Sequence, residues 1–265
     1  MSLTPYDWNQ SIQTRTEYIE ERLRDGSPVV GLGIPDGVLL LSVHRAQRKV
    51  YEVYDRLIFS GIGHPSDVET MRNASIDFAH QEGFQRSPDD VTAHRLVGSV
   101  LSPALKRAFA DPFTAPLIFR GLFAEMGARQ DEDQFYALGF DGEFRSENRY
   151  SVAGGTLEAE NRMLEVLHAG IDGATDRTSA LRLALEAWGT GRLHAERRGF
   201  AGRGRTDEAE EEETRAARSA ADVLRAELAE GKLEVGFLDR RTSRERKFRL
   251  LTAEELDGVT AEYRS

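Results

Sequence analysis

Pro28-Val29-Val30-Gly31-Leu32-Gly33-Ile34-Pro35-Asp36-Gly37-Val38-Leu39-Leu40-Leu41 decides the fold. Two apolar runs flank Pro-Asp-Gly. Proline presets the first φ of a turn and glycine accepts positive φ, so the stretch predicts a hairpin of Val29 to Ile34 with Val38 to Val43. Both arms are almost continuously apolar, which predicts a sheet covered on both faces.

Ahead of this hairpin, Asp7 to Arg24 reads as an amphipathic helix, stopped by Asp25-Gly26-Ser27-Pro28. Ile12, Ile19 and Leu23 form a narrow apolar stripe, expected to dock on something other than the hairpin. Behind it, Lys49 to Val53 and Leu57 to Ile62 predict a second strand pair. Ser66 to Glu82 and Ser87 to about Ala110 predict two helices, the second with Ser87 as N-cap and Pro88 in its first turn. Three antiparallel strands are expected over Ala115 to Ala124, Gln134 to Phe140 and Phe144 to Val152, with Asp141-Gly142 as a hairpin turn. Two further helices follow, one after Gly154-Gly155-Thr156 and one over Arg177 to Trp188. Leu233 to Asp239 and Lys247 to Leu251 form a last strand pair, and Thr252 opens a short final helix. Strands, two helices, strands, two helices, strands is a layered arrangement of sheets and helices.

Residues His194 to Lys232 break that pattern. A Gly/Arg-rich run from Arg197 to Arg205 meets the acidic run Asp207 to Glu213, and Thr214 to Glu230 has high helix propensity. The expectation is a loop and an exposed helix inserted at about 194–232, solvated or pairing its opposed charge blocks. Residues 1–26 stand apart as an N-terminal segment and helix, and 27–265 as the main domain.

The chain has 265 residues, a formal net charge of −10 and no cysteine. It is long enough for one well-buried domain. The charge argues against a nucleic-acid face, and the missing thiols exclude disulfides and thiolate metal sites and suit a cytoplasmic setting. No apolar run approaches a membrane span, and Met1 to Trp8 does not read as a signal peptide. The histidines show no metal-ligand spacing and there is no Gly-Lys-Ser/Thr phosphate loop, so neither metal nor cofactor is expected.

The ordered set Val29-Val30-Gly31-Leu32, Asp36-Gly37-Val38-Leu39, Lys49 to Leu57, Ile76-Asp77-Phe78-Ala79, Asp89-Asp90-Val91-Thr92, Phe140-Asp141-Gly142 and Gly154-Gly155-Thr156 resembles the α subunit of the 20S proteasome, in its actinobacterial form. The resemblance runs over Tyr6 to Arg192 and Leu233 to Val259; nothing carries over to the insertion. It implies an α+β, four-layer αββα sandwich, the N-terminal nucleophile hydrolase fold, preceded by a helix. It further implies a heptameric ring that stacks on a β-type subunit, gates a proteolytic chamber and receives an ATP-dependent unfoldase or other ring activator.

In the catalytic β type of that family, a processed N-terminal threonine attacks the peptide and its own amine takes the proton. Ser27 stands where that threonine would stand, and Lys49 matches the supporting lysine. Val43 replaces the supporting aspartate, and Pro28 would make processing follow a restricted Ser-Pro unit. The resemblance therefore implies a subunit without a nucleophile, leaving Ser27 with Lys49 as the alternative catalytic pair of a self-contained hydrolase, or a stand-alone ring scaffold without β partner. It assigns Lys49 to an activator-docking pocket, Tyr6, Asp7 and Trp8 to the gate, and Phe123 and Met126 to the pore constriction. The residues alone leave other readings open: Asp7 suits the positive end of a helix dipole, and Phe123 and Met126 suit a core.

Overall fold

The computed structural model describes residues 5–200, 218–244 and 246–264. Its core is two five-stranded antiparallel sheets stacked face to face. Strands are numbered β1 Val29–Ile34, β2 Gly37–His44, β3 Val50–Tyr54, β4 Leu57–Gly63, β5 Phe119–Glu125, β6 Gln134–Leu138, β7 Phe144–Glu147, β8 Tyr150–Ala153, β9 Lys232–Asp239 and β10 Phe248–Leu250. One sheet runs β10-β9-β2-β1-β8 and the other β3-β4-β5-β6-β7.

The opening hairpin forms as its sequence predicts. Ile34 pairs with Gly37, leaving Pro35-Asp36 as the turn. Gly37 has φ +156, and a Cβ there would stand 1.9 Å from the Leu238 carbonyl oxygen on β9. Only glycine fits that close approach. Both strands are buried almost throughout, and their alternation serves two cores. Val30, Leu32, Ile34, Leu39 and Leu41 face a helix layer. Val29, Val38 and Leu40 face the second sheet.

The outer layers follow. Helix α2 (Pro65–Gln85) and the helical residues 93–110, numbered α3, cover the second sheet through Met71, Leu96, Leu101 and Leu105, packed on Phe59, Phe119 and Phe123. The middle of α3, Leu96–Leu101, is wound as a π-helix. Helices α4 (Leu157–Gly170), α5 (Arg177–Phe200), α6 (Ala220–Glu230) and α7 (Ala253–Arg264) cover the first sheet. Helix, sheet, sheet, helix is the four-layer αββα sandwich expected above.

Helix α1 (Pro5–Arg24) closes one end of the sandwich. Ile19 and Leu23 are fully buried between the sheets, among Val29, Ile62 and Leu122. The helix thus docks through its C-terminal turns into the central core of its own chain, and that core includes Val29, Val38 and Leu40 of the hairpin, contrary to the expectation that it would dock elsewhere. The last turn sits so close to the β8–α4 loop that a Cβ on Gly155 would meet the Arg24 carbonyl oxygen at 2.3 Å.

Three expectations change. Phe144 to Val152 is not one strand: β7 and β8 lie in different sheets, and the chain crosses between them at Asn148-Arg149. The helix read from Ser87 begins at Ala93 instead. Ser87 caps a single 3₁₀ turn, Pro88–Asp90, and Val91 and Thr92 are extended. Thr92 and the Glu125 carboxylate on β5 then accept from backbone N–H groups of the helix that follows. The inserted helix is not solvated, because Val223, Leu224 and Glu227 of α6 are buried against the first helix layer. Most of the Gly/Arg run and the whole acidic run lie outside the described residues.

Candidate functional site: the Lys49 cavity

Lys49 precedes β3 at the end of the sandwich where α1 meets β1. It lines a cavity of about 860 Å³ together with Ser27, Val43, Arg45, Arg192 and Glu227. The Lys49 ammonium donates to the Ser27 carbonyl oxygen at 2.7 Å. Its backbone N–H donates to the Glu234 carboxylate at 2.9 Å.

Counted over the whole residue, Lys49 is only half-buried, but its ammonium is enclosed enough to lose much of its hydration. Burial lowers its pKa to about 7, against the opposing pull of Glu234 and with a further push from the Arg192 guanidinium. The group is therefore poised between ammonium and amine near neutrality.

Glu234, on β9, is buried and collects several donors. Besides the Lys49 amide it accepts from Arg48 Nε at 3.3 Å, and it lies 3.5 Å from His44 Nε2. On the other wall, Glu227 accepts from Arg192 Nε at 2.8 Å and from Arg45 at 3.2 Å. Arg192 also donates to the Asp25 carbonyl oxygen at 3.1 Å, which ties α5 to the link between α1 and β1. Tyr51 closes the cavity beside Arg72, whose guanidinium lies 4.9 Å from its ring centroid.

Ser27 and Lys49, the alternative catalytic pair, do come together. Their geometry is not that of a nucleophile and its base. The Ser27 hydroxyl donates to the Val43 carbonyl oxygen at 2.6 Å and lies 3.2 Å from Ser42 Oγ. Lys49 meets the carbonyl, not the hydroxyl. Just ahead of Ser27, the Gly26 N–H donates to the Leu23 carbonyl oxygen at 2.8 Å. Pro28 is held too: its carbonyl oxygen accepts from Ser42 Oγ at 2.7 Å and from the fully buried Trp188 indole at 2.8 Å.

The other sequence-predicted residues lie elsewhere. Tyr6, Asp7 and Trp8 belong to the first turns of α1; Trp8 is exposed, and the side chains of Tyr6 and Asp7 lie outside the described residues. Phe123 and Met126 are not at a surface. Phe123 is fully buried against Phe59, ring centroids 4.7 Å apart, and Met126 fills the space between the sheets. A pore-lining role is corrected by that burial: both faces of β5 are covered, so its aromatic side chain packs inward.

Glu227, Glu234 and Arg192 escaped sequence reasoning. They stand 143 to 207 positions from Ser27 and Lys49 along the chain, and no local spacing links them. Among the described residues no group of three or more histidine or acidic side chains is arranged to hold a metal, and no helix is long and apolar enough to cross a membrane.

Two stacked antiparallel sheets between helix layers, entered through a helix set into the central core, define the N-terminal nucleophile hydrolase class of sandwich. Known proteins then narrow the class. The proteasome subunit alpha of Kineococcus radiotolerans is 30% identical over 257 residues, covering 95% of this chain and 94% of that one. That of Actinosynnema mirum is 34% identical over 185 residues, covering 69% and 68%. That of Streptomyces avermitilis is 27% identical over 252 residues, covering 94% and 87%. No family model matches. The chain belongs to the proteasome α-subunit family.

Proposed function

We propose that this chain is a non-catalytic outer-ring subunit of a 20S proteasome core. Seven copies form a ring, the ring stacks on one of β-type subunits, and Tyr6, Asp7 and Trp8 at the start of α1 contribute to a gate over the axial pore. Lys49 receives a carboxylate of an ATP-dependent unfoldase or other ring activator in the cavity between the end of α1 and β3. The setting is cytoplasmic.

The observation that carries this reading is the packing of Ile19 and Leu23 in the central core. Cleavage before Ser27 would remove both side chains and open the space between the sheets. Freeing an amine at Ser27 would therefore cost the folded chain part of its central core, which favours a helix that is kept. The closed hydrogen bond from the Ser27 hydroxyl to Val43 and the missing carboxylate at position 43 support the same conclusion.

One observation favours a second reading: a lysine with a pKa near neutrality beside a serine is a recurrent feature of hydrolase sites. Coexpression with a β-type chain, followed by native and intact mass spectrometry, separates the two. The proposal expects an α ring of full-length chains bound to β chains with a processed N-terminal threonine. Mature chain beginning at Ser27 that hydrolyses peptide unaided would overturn it, and a ring that ignores β chains would make this a stand-alone scaffold.

A further inference from the structure

We infer that Glu227 is a specificity-determining residue of the Lys49 cavity, an internal carboxylate that occupies the arginines an incoming carboxylate would otherwise meet. The inference rests on the reading of this cavity as a docking site for a carboxylate-ended chain.

Glu227 comes from α6, the helix that leads into β9. The start of α6 is fixed by a capping box, with Ser219 and Asp222 exchanging side-chain and backbone hydrogen bonds. Val223 and Leu224 lock the next turn into the core. Glu227 follows Leu224 by three residues and Val223 by four, so the same face carries its carboxylate to the cavity wall.

Each arginine lining the cavity then faces a carboxylate of this chain. Arg192 bonds Glu227 Oε1 at 2.8 Å. Arg45 meets Glu227 Oε2 at 3.2 Å and Glu230 at 2.9 Å. Arg48 meets Glu234 at 3.3 Å. The Lys49 ammonium instead donates to a neutral carbonyl, that of Ser27. A ligand carboxylate that takes Lys49 displaces a neutral acceptor, whereas one that takes Arg192 must displace a charge-assisted bond from a largely buried carboxylate. Glu227 thereby directs an anionic chain end to Lys49 and holds down affinity for anions in general.

The test uses the full chain and two peptides, N-acetyl-Ala-Leu-Ala with a free C-terminal carboxylate and its C-terminal amide, titrated by calorimetry at low salt. Glu227→Gln keeps an acceptor for Arg192 but loses the charge. It should bind the acid peptide roughly threefold to fivefold more tightly, the scale of one partly screened charge pair, and leave the amide unchanged. Glu227→Asp keeps the charge and should resemble the wild type for both. Unchanged or weaker binding of the acid peptide by Glu227→Gln overturns the inference. So does an equal gain for the amide, a Glu227→Asp variant that behaves like Glu227→Gln, or no binding by either wild type or Glu227→Gln. Lys49→Ala separates the two claims. If the preference for acid over amide survives it, the docking reading fails; if the preference is lost but Glu227→Gln changes nothing, only the role of Glu227 fails.

Discussion

The Lys49 ammonium is hydrogen-bonded to the Ser27 carbonyl oxygen at 2.7 Å, while the Ser27 hydroxyl points its proton at Val43. A lysine and a serine occupy the places of a hydrolytic pair and bind each other through the backbone instead. The contact fastens the link between α1 and β1, and it leaves a cation in a partly enclosed cavity.

Lys49→Ala should abolish activator-stimulated degradation by the assembled particle and leave ring assembly intact. Stimulated peptide turnover and native mass spectrometry read the two effects. Unchanged stimulation would refute the assignment of Lys49 to docking.

Docking through Lys49 should depend on pH. With a pKa of about 7, the ammonium is mostly present at pH 6.5 and mostly lost at pH 8.5. Affinity for the activator should fall on the order of tenfold between these values, since only the charged fraction binds a carboxylate well. A flat profile counts against it. The same shift has a stability consequence of opposite sense. A lysine whose pKa is lowered by folding destabilises the fold while the ammonium is forced to stay charged, so stability rises with pH between about 7 and the ordinary lysine value. Lys49→Met should therefore compare more favourably with the wild type at pH 6 than at pH 9 in urea unfolding.

Arg240→Ala should cost about 3–5 kcal/mol. Arg240 pairs with the fully buried Asp133 carboxylate at 2.7 Å and also donates to the Gly127 carbonyl oxygen at 2.6 Å. Burial pushes the Asp133 carboxyl above its usual range, and Arg240 opposes that rise. Without the guanidinium the carboxylate is stranded. Asp133→Asn added to Arg240→Ala should recover part of the loss, and chemical denaturation of the double-mutant cycle measures it.

Glu255 should stabilise the fold at neutral pH and cease to do so in acid. Its hydrogen bonds from Arg249 hold its pKa at about 2, with help from the Thr252 N–H and the nearby Arg177. A carboxylate depressed by folding contributes fully above its ordinary value near 4.5, and the contribution fades as pH falls toward 2. After solvent screening of a partly exposed group the effect is ~2 kcal/mol. Glu255→Gln should lose that much at pH 6 and converge on the wild type near pH 2; a gap that does not shrink contradicts the assignment.

Leu23→Ala should destabilise the chain by about 2–5 kcal/mol through the cavity it leaves between the sheets. Deleting residues 1–26 should lower stability further and produce no peptidase activity. Thermal unfolding and a fluorogenic peptide assay test both parts.

The amino-acid sequence by itself determined the local elements whose apolar pattern has one solution. The Val29–Ile34 and Gly37–His44 hairpin, the Asp141-Gly142 turn and the helix ahead of β1 were all legible, because turn chemistry and side-chain period are properties of neighbours in the chain. Ser27 and Lys49 were legible as a pair through the family resemblance. Tertiary structure decided the rest. Tyr150 to Val152 has the same strand pattern as Phe144 to Glu147, and only the stacking of two sheets sends them to different ones. A helix that propensity would begin at Ser87 begins at Ala93, because Val91 is buried under α2 and a carboxylate from β5 reaches the Ala93 amide. The cavity's acidic walls, Glu227 and Glu234, come from far along the chain, and no period or spacing encodes a contact that exists only once α6 has packed on α5 and β9 has paired with β2.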